Sequence, residues 1–176
     1  MSTDAAVAVT LMKSELISVA SGFEDVYRRE YPGLVAVATA LTGDLRDGED
    51  AVQDTMVRAF VRWGDIGRLD RPGAWCHRVL LNACRSRWRR RRTEARFLLR
   101  ARRDEPTASE PSADVMVFWG LVRQLPSRPR HSVTLYFAGE RTMSEIASIL
   151  GVPEGTVRSD IARARAVITA ALGGRR

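Results

Sequence analysis

Residues Thr142–Ile168 read TMSEIASILGVPEGTVRSDIARARAVI, and the interpretation of this stretch decides the fold. Ser144 opens a short helix carrying Ile146, Ala147 and Leu150. Gly151 supplies a turn, Val152 packs beneath it, and Pro153 starts a second helix, where a missing N–H costs nothing. Val157, Ile161, Ala164 and Ile168 recur at helical spacing and define the buried side of that second helix. Two short helices joined by a glycine-containing turn make a helix-turn-helix. In such a motif the first residues of the second helix reach base edges in the major groove. Here those residues are Thr156, Arg158, Ser159 and Asp160, with Arg163 one turn further on. A ligand-free αα-hairpin would share the backbone, but the polar tip and the turn spacing favour DNA.

Upstream, Val115, Phe118, Trp119, Val122 and Leu125 make an amphipathic helix stopped at Pro126, and Arg130–Ala138 makes the next. These elements form one small helical unit, residues 114–172. Before it lies a segment, 93–113, whose second half (DEPTASEPSA) has two prolines, three acids and no large apolar residue. That is the composition of a flexible linker.

The next stretch toward the N-terminus is Arg71–Arg92, RPGAWCHRVLLNACRSRWRRRR. Pro72 suits a first helical turn. At about 100° per residue Arg78, Asn82, Arg85, Arg89 and Arg92 fall into one stripe, with Cys76, Val79, Leu80 and Ala83 opposite and Trp75 and Trp88 near its flanks. Guanidinium groups grip phosphates and indole faces stack on unpaired bases. A solvated Arg-rich helix end with two core tryptophans is the competing structural explanation.

The front of the chain predicts two further helices. The first spans Phe23–Leu41, with a kink or break near Tyr31 because Pro32 lies inside the pattern. The second runs from about Arg46 to Trp63, with Asp44, Asp47, Glu49 and Asp50 at the positive end of its dipole. Gly64–Asp70 reads as a loop. Residues 1–22 read as a poorly ordered N-terminal extension, with a short helix over Leu11–Val19.

Charge is distributed unevenly. The chain of 176 residues carries 28 Lys plus Arg against 21 acids, a net +7. From Arg71 to Arg103 there are twelve Arg and one acid, whereas Phe23–Asp70 holds six Arg and ten acids. An acidic front and a basic middle imply two different partners, the basic one a polyanion. The two cysteines, Cys76 and Cys84, would sit about 12 Å apart along one helix, too far for a disulfide, and imply buried thiols in a reducing cytoplasm. The two histidines have no partners at metal-finger spacing, so no metal and no cofactor is expected. No apolar run reaches membrane-span length, so no membrane insertion is expected. No phosphate-binding loop, carboxylate pair or nucleophile–base motif suggests an enzyme.

Taken together, the two halves resemble a bacterial RNA polymerase sigma factor of the sigma-70 family, extracytoplasmic-function (ECF) group. FEDVYRREYPGLVAVATALTGD, DGEDAVQDTMVRAFVRW and RPGAWCHRVLLNACRSRWRRRR resemble sigma domain 2. LPSRPRHSVTLYFAGERTMSEIASILGVPEGTVRSDIARARAVI resembles sigma domain 4. The resemblance implies an all-α protein of two small helical domains joined by a flexible linker: residues 23–92 for core binding and for −10 recognition and melting, residues 114–172 for −35 recognition. It also implies a non-enzymatic function, binding of RNA polymerase core through the β′ clamp and β subunits, promoter DNA as ligand, and an anti-sigma factor as partner.

The resemblance assigns Asp50, Gln53, Asp54, Arg58, Phe60 and Trp63 to the polymerase contact. It assigns Trp75, Arg78, Asn82, Arg85 and Arg89 to −10 DNA, below the loop Gly64–Asp70 that captures an unpaired base. Thr156, Arg158, Ser159, Asp160 and Arg163 fall to the −35 duplex. Asp160 departs from the basic or polar uncharged residue frequent in the family. A carboxylate there can accept from cytosine N4 and would tune base choice. A free-standing helix-turn-helix regulator is the alternative. It would need the motif at Ser144–Arg165, but not the acidic and Arg-rich helices.

Overall fold

The structure, a computed structural model, describes residues 3–97 and 112–173, with side chains over 22–86 and 112–173. Eight helices make up the described fold: α1 (Thr3–Thr42), α2 (Leu45–Val61), α3 (Trp63–Ile66), α4 (Pro72–Phe97), α5 (Ala113–Gln124), α6 (Ser127–Phe137), α7 (Met143–Leu150) and α8 (Glu154–Gly173). No strand occurs among the described residues, and no helix there is long and apolar enough to cross a membrane.

Helices α1, α2 and α4 pack on one another around Leu34, Val37, Val52, Met56, Cys76 and Leu80. Their apolar residues recur every three or four positions, so each helix offers one stripe to the shared centre. Asp44 caps α2 by accepting from the backbone N–H of Asp47 at 2.8 Å. Helices α5–α8 pack likewise around Val122, Val133, Leu135, Ile146, Val157 and Ile161. Thr142 and Glu145 form a reciprocal capping box on α7, so that helix starts one residue before Ser144. Gly151 ends it at φ +67°, a left-handed conformation that glycine adopts without a Cβ clash.

Several boundaries differ from those expected. Helix α1 begins at Thr3 and runs without interruption through Ser21-Gly22, so the backbone of the presumed extension continues the first helix of the front domain. It also passes through Pro32 without a break. Packing of α1 against α2 and α4 outweighs the one hydrogen bond the proline removes. The chain turns at Arg62, so α2 stops at Val61, and the front of the expected loop Gly64–Asp70 is the single-turn helix α3. Trp63 and Ile66 are buried there and pin that turn to the core. Helix α4 extends five residues into the expected linker, ending at Phe97; residues 98–111 of that linker lie outside the described residues.

The two helical units touch. Helix α7 lies against α4, and α5 and α6 against α1.

Candidate nucleic-acid and polymerase interfaces

On α2 the residues between the buried stripe face outward. Asp50, Gln53, Asp54 and Arg58 are exposed, as is Phe60 at 57%. Trp63, grouped with them from sequence, is only 7% exposed. Its ring meets Phe23 edge-on at 5.3 Å, and Phe23 in turn meets Phe60 at 5.1 Å. Trp63 therefore supports this surface from beneath and contributes little of its exposed area. Val57 and Val61 were missed, and both are exposed on this face, Val61 at 77%. Their signal was an apolar residue off the buried stripe of an amphipathic helix. The result is a surface of carboxylates interleaved with aliphatic and aromatic carbon.

On α4 the stripe is partly as expected. Asn82 and Arg85 are exposed. Trp75 is half-buried, and the Arg62 guanidinium carbon lies 5.9 Å from its ring centroid, within cation–π range. The side chains of Trp88, Arg89 and Arg92 lie outside the described residues. Arg78 is engaged: its Nε donates to the Ile149 carbonyl at 3.1 Å and its Nη2 to the Ser148 carbonyl at 3.0 Å. Those carbonyls close the last turn of α7, where a cation also meets the negative end of the helix dipole.

On α8 the N-terminal tip points to solvent. Arg158, Ser159 and Arg163 are exposed and Thr156 half-buried. Arg158 has Glu154 at 3.9 Å, and Ser159 Oγ donates to the Gly155 carbonyl at 2.9 Å. Asp160 does not join them. Its side chain is 1% exposed and accepts from Arg128 Nε at 2.8 Å and Nη2 at 3.3 Å. A carboxylate turned inward against α6 cannot reach a base edge, so the expectation that Asp160 tunes base choice is corrected to a structural pairing.

A second polar cluster joins the two halves. Glu30 on α1 is 5% exposed. Its Oε2 lies 2.7 Å from Arg141 Nη2, in the connection between α6 and α7, and 3.5 Å from His77 Nε2 on α4. Its Oε1 accepts from Arg29 Nε at 3.0 Å. The neighbouring His77 ring, then the Arg29 and Arg141 guanidiniums, hold the Glu30 carboxyl down at about 2, against the opposing effect of burial. Burial lowers the pKa of His77, against the opposing pull of Glu30. Gly73 allows this approach: a Cβ there would fall 2.5 Å from Glu30 Oε1. A cavity of about 380 Å³ opens beside the cluster, lined from both halves of the chain. Farther along the seam His131 is pushed down to about 4 by burial, with Arg130 and Arg85 adding like charge.

Two family models match the chain. The family model for sigma-70 region 2 matches residues 26–94, and that for sigma-70 region 4 matches residues 116–168. The chain is 30% identical over 154 residues to the ECF RNA polymerase sigma factor SigM of Mycobacterium tuberculosis, covering 86% of this chain and 77% of that protein. It is 31% identical over 147 residues to the RNA polymerase sigma-E factor of Streptomyces avermitilis, covering 82% and 81%. Among solved structures, the sigma factor RpoE of Bartonella quintana, crystallised with the anti-sigma factor NepR, superposes with a TM-score of 0.67 at 25% identity, over 88% of this chain and 98% of that one. CnrH, solved with the cytosolic domain of CnrY, shares the fold at a TM-score of 0.65 and 23% identity, over 91% and 97%.

Proposed function

Because the chain belongs to the ECF group of the sigma-70 family and acts as a sigma factor in promoter-specific transcription initiation, we propose a division of that work among its helices. Helix α2 docks on the β′ clamp of RNA polymerase core through Asp50, Gln53, Asp54, Arg58 and Phe60, with Val57 and Val61 in the same contact. Depletion of water around the two valines and Phe60 supplies affinity, and the carboxylates orient the encounter. Helix α4 and the turn above it hold the −10 strand: Asn82 reads a base edge, Trp75 offers a face, and Arg78, Arg85 and Arg89 grip phosphates. Helix α8 enters the major groove at −35 with Thr156, Arg158, Ser159 and Arg163.

Direct catalysis has no place in this reading, since the family consists of non-enzymatic initiation factors. The site of action is the cytoplasm, where polymerase is. An anti-sigma factor is the proposed negative partner, by analogy with the relatives crystallised with NepR and CnrY.

The observation that carries this reading is the presence, in one chain, of an acidic–apolar α2, an Arg-striped α4 and an exposed helix-turn-helix tip. Run-off transcription with purified core polymerase tests it. Initiation from a cognate promoter with no other sigma present is the expected result. Activity only in the presence of another sigma would instead fit a free-standing regulator.

A further inference from the structure

We propose that Arg62 belongs to the −10 site: its guanidinium holds the place of an unpaired base over the Trp75 ring and moves to that base's phosphate when the strand arrives. The inference rests on the assignment of α4 to the −10 strand and extends that site to a residue outside α4.

Nothing local marks Arg62. It follows the exposed Val61 and precedes the buried Trp63, and by itself it reads as a solvated arginine at a helix end. The backbone says more. Arg62 joins α2 to α3 at φ −106° and ψ 17°. Its N–H donates to the Arg58 carbonyl at 3.2 Å, and its carbonyl accepts from the N–H groups of Asp65 and Ile66, both at 3.0 Å. The junction is thus bonded into both helices, and Trp63 and Ile66 fix it to the core. From this fixed point the side chain crosses to the first turn of α4 and sets its guanidinium carbon 5.9 Å from the Trp75 ring centroid. Among the described residues no carboxylate pairs with Arg62. The ring, and not an ion pair, determines where this cation rests.

Trp75 is half-buried and packs against the core, so only part of its ring is open to a ligand. A guanidinium is planar and delocalised, and it stacks on aromatic faces much as a base does. An exposed cation–π contact is nevertheless weaker than the stacking of a nucleobase on an indole. An arriving base therefore displaces the guanidinium. The base brings its own phosphate on a short tether, and the released cation meets it within the reach of a flexible stem. Arg78, Arg85 and Arg89 all follow Trp75 along α4. Arg62 approaches from the α2–α3 junction and so adds a grip from a second element.

The test needs neither polymerase nor promoter. Fluorescein-labelled single-stranded dT12 is titrated with the full chain by anisotropy at several salt concentrations; a homopolymer suffices because every base offers a π-face. Wild type, Arg62→Ala and Arg62→Lys are compared, with thermal unfolding of each. Arg62→Ala should bind about threefold more weakly at low salt, and its slope of log affinity against log salt should fall by roughly 0.7, the value for one phosphate on a single strand. Arg62→Lys keeps a cation that reaches phosphate and should keep the wild-type slope. Both variants should melt close to wild type, since an exposed cation–π contact adds little stability. A purely structural Arg62 would give the reverse, a lower melting temperature with an unaltered salt slope, and that result overturns the proposal. Tighter binding by Arg62→Ala also overturns it, by showing that the guanidinium only obstructs the ring. If Arg62→Ala fails to fold, Arg62→Gln, which keeps side-chain length without charge, is judged by the same criteria. Wild type that does not bind dT12 removes the −10 reading of α4 and this inference with it. Wild type that binds, beside an Arg62→Ala of unchanged slope, removes Arg62 alone.

Discussion

Arg128, in the first turn of α6, donates twice to Asp160, in the second turn of α8, and so fixes the angle at which the recognition helix leaves its scaffold. Asp160 contributes almost nothing to the surface of that helix. Its neighbours Arg158 and Ser159 are exposed. The carboxylate therefore positions Arg158 and Ser159, the residues proposed to contact DNA.

A positioning role has a distinct signature. Asp160→Ala leaves Arg128 without its carboxylate and α8 without its tether, so thermal stability should drop. Binding to −35 duplexes should weaken by a similar factor at every sequence, because misplacing a helix affects all contacts together. Selection of a randomised −35 library with wild type and variant should return the same consensus. A changed consensus would show that the carboxylate reads a base.

The polymerase face makes a different prediction. Asp54 is exposed on α2 beside Val57 and Arg58, away from the buried stripe. Asp54→Arg should reduce co-purification with core polymerase by tenfold or more, since charge reversal within a docked interface typically costs more than about 1.4 kcal/mol. Helical content should not change. Val61→Ala should also weaken binding, with little dependence on salt, because its contribution is apolar area.

Most of this architecture was legible because its determinants are local. The apolar stripes of α2, α4 and α8, the turn at Gly151 and the cluster of acids at the start of α2 each state their role within one or two turns of sequence. The pairing of Glu30 and Asp160 was not legible, although half of the signal was present. Glu30 lies four residues from both Val26 and Leu34, and Asp160 three from Val157 and four from Ala164, so both acids sit on buried stripes. A carboxylate there demands a cation. The cations come from Arg141 and Arg128, on other elements, and nothing local names them. Pro32 misled for a related reason: its local penalty was clear, and the packing that overrides it was not. Trp63 could not be separated from Phe60 by periodicity because the chain turns at Arg62, between them.

His131 gives the fold a dependence on pH. In the unfolded chain its imidazole charges near 6.5, whereas in the fold burial holds the value at about 4. Between those values the unfolded state binds more protons, so stability is complete above pH 6.5 and falls as pH drops toward 4. His77 is shifted in the same direction and adds to the loss. Glu30 contributes only lower down, between its ordinary value of 4.5 and about 2. Urea unfolding at pH 7 and pH 5 should differ, and His131→Gln should shrink that difference by about 2 kcal/mol. An undiminished difference in the variant would assign the effect to His77.

Asn82 and Arg85 occupy one exposed stripe of α4 and should fail in different ways when removed. An amide both donates and accepts, so it can match the edge of an unpaired base. A guanidinium grips phosphate without regard to sequence and releases counterions as it does so. Asn82→Ala should therefore relax preference at one −10 position by roughly 1–3 kcal/mol, the usual value of a base contact, while binding to other sequences falls little. Arg85→Ala should weaken binding to every −10 strand and lower the slope of log affinity against log salt by about one phosphate contact, roughly 0.7 for a single strand. Arg85 also neighbours Arg130 and His131, so its removal eases like-charge crowding there and should raise thermal stability slightly. Competition among −10 oligonucleotides at several salt concentrations separates the two roles. If both variants lost sequence preference equally, with parallel salt slopes, the stripe would act as one surface, and the division between reading and gripping would not hold.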